Sequence, residues 1–175
     1  MKFLWLRQIL EEETDRLSKR GVEYGKPRLG AMIEVPSAVV CIEQILEEVD
    51  TVLLGTNDLV QYVLAVDRDN EGVAGWFRTL HPAVLLSLRR VFEAAAKASK
   101  PAIVCGEMAG SPFYVPILLG LGADELSMNL NSILRVRRVI EAIAFEEARE
   151  LASVLLSKKT AAQVEEAADI FFQKH

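Results

Sequence analysis

The sequence predicts an α/β fold with one parallel sheet, because strand and helix patterns alternate along the chain. Short apolar runs occupy residues 29–35, 51–54, 102–105 and 125–128. Read as continuous apolar runs, they are typical of parallel strands that helices cover, whereas half-exposed strands alternate apolar and polar residues. A helical pattern follows each run, so the chain is predicted to contain four βα units.

The leading helix and the first crossover helix are predicted from apolar spacing and from end signals. Apolar side chains recur at helical spacing through residues 3–19, and Gly21 supplies a stop. After the first apolar run, Ser37 is suited to cap a helix over residues 38–48. Its hydroxyl can accept a hydrogen bond from an N–H group of the first turn.

Proline, threonine and periodic apolar residues predict the remaining helices. Pro82 and Pro112 are suited to the first turn of a helix, where a missing N–H group is tolerated. Thr160 begins a pattern that resembles a capping box. The predicted helices span residues 82–97, 113–119, 133–156 and 161 onward.

These elements are predicted to form a single domain over residues 1–175, a length that allows one sizeable core. It has a leading helix at 1–27, four βα units at 28–140 and C-terminal helices at 141–175. The exception to its short connections lies at 58–81. Long loops in compact domains often carry function, and this one follows directly from a strand end.

Composition and charge argue against several classes of protein. The chain is 51% apolar and 26% charged, as in ordinary globular proteins, and its net charge of -5 without a basic tract argues against nucleic-acid binding. No apolar run approaches the roughly 18 residues that cross a bilayer. The acidic residues 11–13 follow the opening residues too soon for a signal peptide. The cysteines, Cys41 and Cys105, favour a reducing compartment, so we expect a cytoplasmic protein.

Polar side chains follow three of the predicted strands. Glu34 follows the first, Asn57 and Asp58 follow the second, and Cys105 ends the third. Ligands of parallel α/β folds sit at the carboxyl ends of the strands, so these side chains are expected to converge. Two carboxylates with room for waters and substrate oxygens suit Mg²⁺ rather than zinc. The sequence therefore predicts chemistry on a small phosphorylated anion.

Each candidate side chain also has a purely structural interpretation. Glu34 and Asp58 are placed where a carboxylate can cap the following helix. Arg68, in the long loop, can hold two oxygens of a phosphate or pair with a neighbouring aspartate. Cys105 is either a small buried side chain or a thiol that moves a proton.

The other cysteine and the two histidines are predicted to have no catalytic role. Cys41 lies inside the helix after the first strand and is expected in the core. His81 precedes Pro82 at a helix start, where a cap is expected, and His175 is the last residue. Neither histidine is predicted to carry a phosphoryl group.

Five motifs in order resemble one family. They are GAMIEVPSA at 30–38, GTNDL at 55–59, LAVDRDN at 64–70, HPAV at 81–84 and CGEMAG at 105–110. Together they are similar to the C-terminal phosphoenolpyruvate-binding domain of Enzyme I, the phosphoenolpyruvate–protein phosphotransferase of the bacterial phosphotransferase system. Pyruvate phosphate dikinase and phosphoenolpyruvate synthase share its barrel, but two of the motifs are closer to Enzyme I. The resemblance implies the second half of a TIM (β/α)₈ barrel, with about four strands and an extra C-terminal helix.

The resemblance also implies a role for each candidate residue. Glu34 and Asp58 would be ligands of Mg²⁺, and Asn57 and Arg68 would hold the phosphate of phosphoenolpyruvate, with Asp58 also close to the substrate. Cys105 would protonate the enolate carbon as pyruvate forms. The implied reaction is Mg²⁺-assisted phosphoryl transfer from phosphoenolpyruvate to a histidine.

The chain departs from this family in extent. A full barrel needs about 250 residues, and the family's phosphorylated histidine and further phosphate-binding arginines lie in regions that precede this part. The chain alone is therefore expected to be inactive and to act with a phospho-histidine domain or carrier protein. Open sheet edges also predict a homodimer.

Alternative functions stay open at this point. The chain fits a non-catalytic dimerisation or interaction module derived from Enzyme I, or a fragment of the pyruvate phosphate dikinase or phosphoenolpyruvate synthase type. A lyase or aldolase that acts on a related oxoacid also uses Mg²⁺ on strand-end acids, but Arg68 and its loop favour the phosphotransferase. Both the sugar-transport enzyme and its nitrogen-regulatory paralogue fit these motifs.

Overall fold

The structure is a computed structural model that describes residues 2–173, so His175 lies outside the described residues. Four strands and nine α-helices occur within that range. The strands are β1 (Gly30–Ile33), β2 (Thr51–Gly55), β3 (Ala102–Cys105) and β4 (Glu125–Ser127). The helices are α1 (Lys2–Lys19), α2 (Pro36–Val40), α3 (Ile42–Glu48), α4 (Thr56–Leu64), α5 (Pro82–Lys97), α6 (Val115–Leu121), α7 (Leu130–Ala142), α8 (Phe145–Leu156) and α9 (Ala161–Phe172). None of these helices is both long enough and apolar enough to span a membrane.

The sheet confirms the predicted fold. Its order is β1-β2-β3-β4, and every neighbouring pair is parallel. Crossovers between parallel strands are right-handed, so a sheet that advances one strand at a time carries its connecting helices on one face. This is the arrangement of half a (β/α)₈ barrel, and α8 and α9 extend it at the C-terminal side.

The two faces of the sheet differ in burial. Ile33, Leu54 and Val104 lie in register across β1, β2 and β3, and all three are fully buried. Each such side chain contributes about 1.5–3 kcal/mol to folding relative to an exposed position. On the opposite face Met32 and Leu53 are also in register, but Met32 is 45% exposed. The helices therefore cover one face, and the face that would line a barrel stays open.

The predicted helix over 38–48 is wrong, because α2 and α3 meet at Cys41. Pro36 occupies the first turn of α2 and Val35 precedes it without a side-chain cap, so Ser37 does not cap this helix. The guanidinium of Arg90 donates to the carbonyls of the last α2 residues at 3.0 and 3.1 Å. This contact satisfies carbonyls that the helix leaves free. Cys41 is exposed at the break, so its predicted core position is also wrong.

The predicted single helix over 133–156 is also wrong. It begins earlier, at Leu130, because the side chain of Asn129 accepts a hydrogen bond from the Ser132 N–H at 3.0 Å. The helix is interrupted between α7 and α8, where the N–H of Ala144 donates to Glu147 Oε2 at 3.1 Å. That contact belongs to the start of a new helix, so α7 and α8 are separate.

Of three further predicted helix starts, one is wrong and two are confirmed. The helix predicted over 113–119 begins instead at Val115, preceded by Tyr114, so Pro112 does not open it. His81 caps α5 as predicted, because its Nδ1 accepts from the N–H of Ala83 at 3.2 Å. Thr160 caps α9 as predicted, through a 3.2 Å bond from the N–H of Gln163.

An ion pair joins the long loop after α4 to the C-terminal helix α9. It contains one short 3₁₀ turn, Ala74–Trp76. Beyond that turn, Arg78 Nε donates to Glu165 Oε1 at 2.8 Å, and Arg78 Nη2 contacts the other oxygen of the same carboxylate. The hydrogen bond and the charge of Glu165 raise the pKa of Arg78 above its ordinary value. This bidentate pair holds the end of the loop against α9.

Candidate functional site

The candidate site lies at the carboxyl ends of the first three strands. Glu34 follows β1 directly, and Gly55 and Cys105 end β2 and β3. Gly55 and Cys105 are register partners. Side chains of register partners point to the same side of a sheet, and here that side is the open one. The site therefore faces the interior that a full barrel would enclose.

Glu34 reaches sideways over the end of β2. A Cβ atom added to Gly55 would lie 3.0 Å from Glu34 Oε2 and 3.0 Å from Glu34 Cβ. The carboxylate thus takes the space that a side chain at position 55 would fill. Glu34 is half-buried, and within residues 2–173 its side chain has no hydrogen bond or ion pair. It does not cap α2, because that helix has no side-chain cap.

Asp58 lies three residues after Gly55, in the first turn of α4. Gly55 is the N-cap of this helix and no side chain caps it, so the structural role considered for Asp58 is not the one observed. Residues three apart at a helix start lie about 5–6 Å apart, which keeps Asp58 close to Gly55. In the described part of the chain, its carboxylate also has no hydrogen bond or ion pair.

The two carboxylates fit the chemistry of Mg²⁺. No group of three or more His, Cys, Asp or Glu side chains within residues 2–173 is arranged to hold a metal by itself. Protein Mg²⁺ sites usually use one or two carboxylates, together with waters and substrate phosphate oxygens. The Glu34 carboxylate lies over Gly55, Asp58 follows Gly55 by three residues, and neither is paired with a cation among residues 2–173. The donor set suits this ion better than zinc.

Asn57 contacts the turn after β3 through both ends of its amide. Its Oδ1 accepts from the N–H of Glu107 at 3.2 Å, and its Nδ2 donates to Glu107 Oε1 at 3.4 Å. The second bond is long, and Glu107 is exposed, so the amide N–H groups remain accessible to a ligand. Glu107 received no predicted role. Its place two residues after Cys105, at a strand end, was the available signal.

The side chain of Thr56 contacts the same turn. It is 1% exposed, and its Oγ1 donates to the carbonyl of Cys105 at 3.1 Å. A buried hydroxyl needs a partner, but nothing in the motif around Thr56 indicates which one, so the sequence interpretation missed this residue. Cys105 itself is half-buried, and the carbonyl of Ile103 lies 4.0 Å from its Sγ.

Arg68 is held near the site but does not enter it. Its N–H lies 3.5 Å from Oε1 of Gln61, which is one turn beyond Asp58 on α4. Its guanidinium Nε lies 3.8 Å from Asp69 Oδ1, and both side chains are exposed. An exposed pair at that distance contributes little. No hydrogen bond or ion pair joins this guanidinium to the side chains of Asn57 or Asp58 within the described residues.

Comparison with known proteins identifies the family of the chain. Residues 1–145 match the family described as "PEP-utilising enzyme, PEP-binding domain". The chain belongs to this family. The resemblance noted in the sequence is thereby confirmed.

Proteins named phosphoenolpyruvate-protein phosphotransferase are similar to the chain. One from Bacillus sp. (strain S) is 42% identical over 164 residues, which cover 93% of the chain and 28% of that protein. One from Listeria monocytogenes is 42% identical over 166 residues, 94% of the chain and 29% of that protein. A Salmonella typhimurium protein named phosphoenolpyruvate-dependent phosphotransferase system is 42% identical over 154 residues, 88% of the chain and 21% of that protein. The chain therefore spans less than a third of each of these relatives.

Proposed function

We propose that the chain is the phosphoenolpyruvate-binding portion of an Enzyme I-like phosphoenolpyruvate–protein phosphotransferase. The observation that carries the proposal is the cluster around Gly55. The Glu34 carboxylate lies over this glycine, and Asn57, Asp58 and Cys105 follow or face it. Phosphoryl transfer needs positioning and charge neutralisation more than covalent chemistry by the protein, and the cluster supplies groups for both.

Substrate binding is assigned to the side chains of Asn57, Asp58 and Arg68. The amide of Asn57 and the guanidinium of Arg68 would donate hydrogen bonds to the phosphate, and a guanidinium can bind two of its oxygens at once. Glu34 and Asp58 would hold Mg²⁺, which when bound neutralises charge on the substrate oxygens. Arg68 is exposed and weakly paired with Asp69, so little is lost when it turns to the phosphate.

The proton that completes the reaction is assigned to Cys105. When the phosphoryl group leaves phosphoenolpyruvate, an enolate of pyruvate remains. The S–H bond of Cys105 would break, a C–H bond would form at the enolate carbon, and a thiolate would remain on the protein. The half-buried position of this thiol, beside Gly55 on the open face, supports the assignment.

The phosphoryl acceptor is assigned to another domain or to a carrier protein. His81 uses its Nδ1 to cap α5, which leaves it poorly placed to accept a phosphoryl group. We therefore expect the chain alone to bind phosphoenolpyruvate but not to transfer its phosphoryl group. In the cell the reaction would serve the phosphotransferase system, including sugar transport. The absence of a disulfide between Cys41 and Cys105 accords with a cytoplasmic location.

Calorimetry tests the binding part of this proposal. Phosphoenolpyruvate is titrated into the chain with and without Mg²⁺, and into the double variant Glu34→Gln/Asp58→Asn. We expect Mg²⁺-dependent binding to the parent chain and at least about tenfold weaker binding to the variant. Glu166→Gln, an exposed charge change on α9, is the control that retains binding. Equal heats for the parent and the double variant contradict the proposal.

A homodimer is the second part of the proposal, and the open sheet supports it. Edges β1 and β4 have no strand partner among the described residues. Two copies of a four-stranded parallel sheet would supply the eight strands that close a barrel around a two-fold axis. We expect light scattering at micromolar concentration to give a dimer. Met32→Lys, on the open face, should then give a monomer, and a monomeric parent chain contradicts this part.

The non-catalytic alternative makes a different prediction. An interaction module derived from Enzyme I would form the same dimer, or join a full-length relative. Its melting temperature would not change with phosphoenolpyruvate and Mg²⁺, because the residues at the strand ends would have no ligand.

A further inference from the structure

The buried hydroxyl of Thr56 donates a hydrogen bond to the backbone of Cys105, the residue that is the proton donor in the proposed reaction. Thr56 begins α4 directly after β2, and Oγ1 donates to the carbonyl oxygen of Cys105 at the end of β3. The donor follows β2 and the acceptor ends the neighbouring strand β3, 49 positions away in the chain. The bond therefore ties the residue that carries the thiol to the first turn of α4, which carries Asn57 and Asp58.

A second bond fixes the other side of the same turn. The side chain of Asn57 accepts from the N–H of Glu107 at 3.2 Å, one peptide beyond Gly106. Gly106 has φ +114°, and a Cβ atom added to it would lie 2.5 Å from Thr56 Oγ1. Consecutive residues of α4 thus bind the groups before and after Gly106, and only glycine fits between them.

We propose that Thr56 is a positioning residue for the Cys105 thiol. This inference rests on the proposed role of Cys105 as the proton donor. The carbonyl carbon and the side chain of Cys105 share one Cα atom, so a hydrogen bond to this carbonyl restricts ψ and steadies the direction of the Cα–Cβ bond that carries the thiol. Thr56 is 1% exposed and does this without reaching the substrate.

The chain contains a matched bond that serves as a control. Thr51 begins β2, and its Oγ1 donates to the carbonyl of Pro101 at 3.1 Å, the same distance as for Thr56. Both bonds therefore join a threonine of the β2 segment to a carbonyl of the β3 segment. They lie at opposite ends of the sheet, and the Thr51 bond is remote from Cys105.

Thiol reactivity tests the proposal on the chain as it exists. In a Cys41→Ser background, which removes the exposed second thiol, we measure the rate at which iodoacetamide alkylates Cys105. Thr56→Val should raise this rate at least about fivefold, because the turn opens locally and exposes the half-buried thiol. Thr56→Ser keeps the hydroxyl and should restore a rate within about twofold of the parent. Thr51→Val should leave the rate unchanged.

A second variant disturbs the same bond from Gly106, the residue that follows the acceptor. Gly106→Ala places a Cβ atom against Thr56 Oγ1 and should raise the alkylation rate even though the hydroxyl is present. The proposal is overturned if Thr56→Val and Gly106→Ala both react like the parent. It is also overturned if Thr51→Val raises the rate as much as Thr56→Val, or if Thr56→Ser fails to restore it.

The outcome is independent of the binding experiment. The alkylation assay contains neither phosphoenolpyruvate nor Mg²⁺, so a positioning role for Thr56 is measurable even if the chain fails to bind substrate. Conversely, calorimetry that supports binding while all four variants react like the parent would leave the proposed function standing and reject only the role of Thr56.

Discussion

The two ends of the sheet use their polar groups in different ways. At the amino end, Asp50 and Leu29 exchange two hydrogen bonds, of 2.7 and 2.8 Å, and Thr51 donates to the carbonyl of Pro101. At the carboxyl end, the Glu34 and Asp58 carboxylates have no protein partner within the described residues. One end is closed by its own chain, and the other leaves two carboxylates without a partner in the described part of the chain.

In parallel barrels, ligand-binding residues lie at the carboxyl ends of the strands, and residues at the amino ends contribute to stability. Charged groups that are left free for a ligand lower the stability of the fold, because half-buried charges lose water without gaining a protein partner. Groups at the amino end gain a backbone partner instead and stabilise the fold. Substitutions at the two ends should therefore separate stability from ligand binding, and the following predictions are ordered by expected size.

The largest effect is expected at the amino end. Asp50→Ala leaves the N–H of Leu29 without the carboxylate that it now contacts at 2.8 Å. The free energy of unfolding should fall by about 1.5 kcal/mol, the low end for hydrogen bonds to charged groups, because this bond is exposed to solvent. Urea denaturation measures the loss. Binding of phosphoenolpyruvate with Mg²⁺ should not change below the unfolding transition, and a binding defect at full folding would erase the distinction between the ends.

The next effect is expected at the carboxyl end and concerns binding alone. Gly55→Ala places a Cβ atom 3.0 Å from Glu34 Oε2, so the carboxylate must move. Mg²⁺-dependent binding of phosphoenolpyruvate should weaken about tenfold, or about 1.4 kcal/mol, as expected when a metal ligand is displaced. Stability should change by less than about 1 kcal/mol, because φ of -77° suits alanine.

Gly30→Ala is the matched control for this substitution. An added Cβ there would also meet neighbours closely, at 3.1 Å from the Leu53 Cδ1 and Thr51 Cγ2 atoms. It lies at the amino end of β1, so calorimetry should give parental binding. Equal binding losses for the two alanines would mean that general sheet distortion, and not the position of Glu34, controls the ligand.

The hydrogen bonds of Thr51 and Thr56 should contribute equally to stability but differ in their effect on the reactivity of Cys105. Thr51→Val and Thr56→Val each remove one hydroxyl–carbonyl bond of 3.1 Å. Each should lower the free energy of unfolding by about 1 kcal/mol in urea denaturation. Only Thr56→Val should alter the reactivity of Cys105. A stability loss several times larger for Thr56 would point to a folding role for this residue.

The smallest effect on stability is expected for Glu34→Gln. The amide has nearly the shape of the carboxylate, and Glu34 has no protein partner to lose within the described residues. The free energy of unfolding should stay within about 0.5 kcal/mol of the parent value, measured by thermal or urea denaturation. A substantial loss of stability would mean that Glu34 supports the fold, contrary to the contrast between the two ends.

Much of the fold was predictable because it depends on local patterns. The four apolar runs predicted strands whose observed bounds differ by at most two residues at either end, and the bounds of β3 match. The caps His81 and Thr160 were also predictable, because a capping side chain acts within three positions of itself. Strand-end logic selected Glu34 and Asp58, since parallel strands bring their carboxyl ends to one edge.

The separation of α7 and α8 was missed although its signal is local, because Ala144 and Glu147 are three positions apart. Other misses depend on contact between distant parts of the chain. The break at Cys41 is accompanied by bonds from Arg90, some 50 positions away, to carbonyls that a continuous helix would keep. The roles of Thr56 and Glu107 depend on β2 lying beside β3, which no local pattern reports.

The sequence by itself determined the family, the parallel βα order and the residue types at the strand ends, because these follow from periodicity and ordered motifs. Only the tertiary structure decided which groups are engaged. It paired Thr56 with the Cys105 carbonyl, set the Glu34 carboxylate over Gly55 and left one sheet face open. Those outcomes depend on strand register and helix packing, which act between residues far apart in the chain.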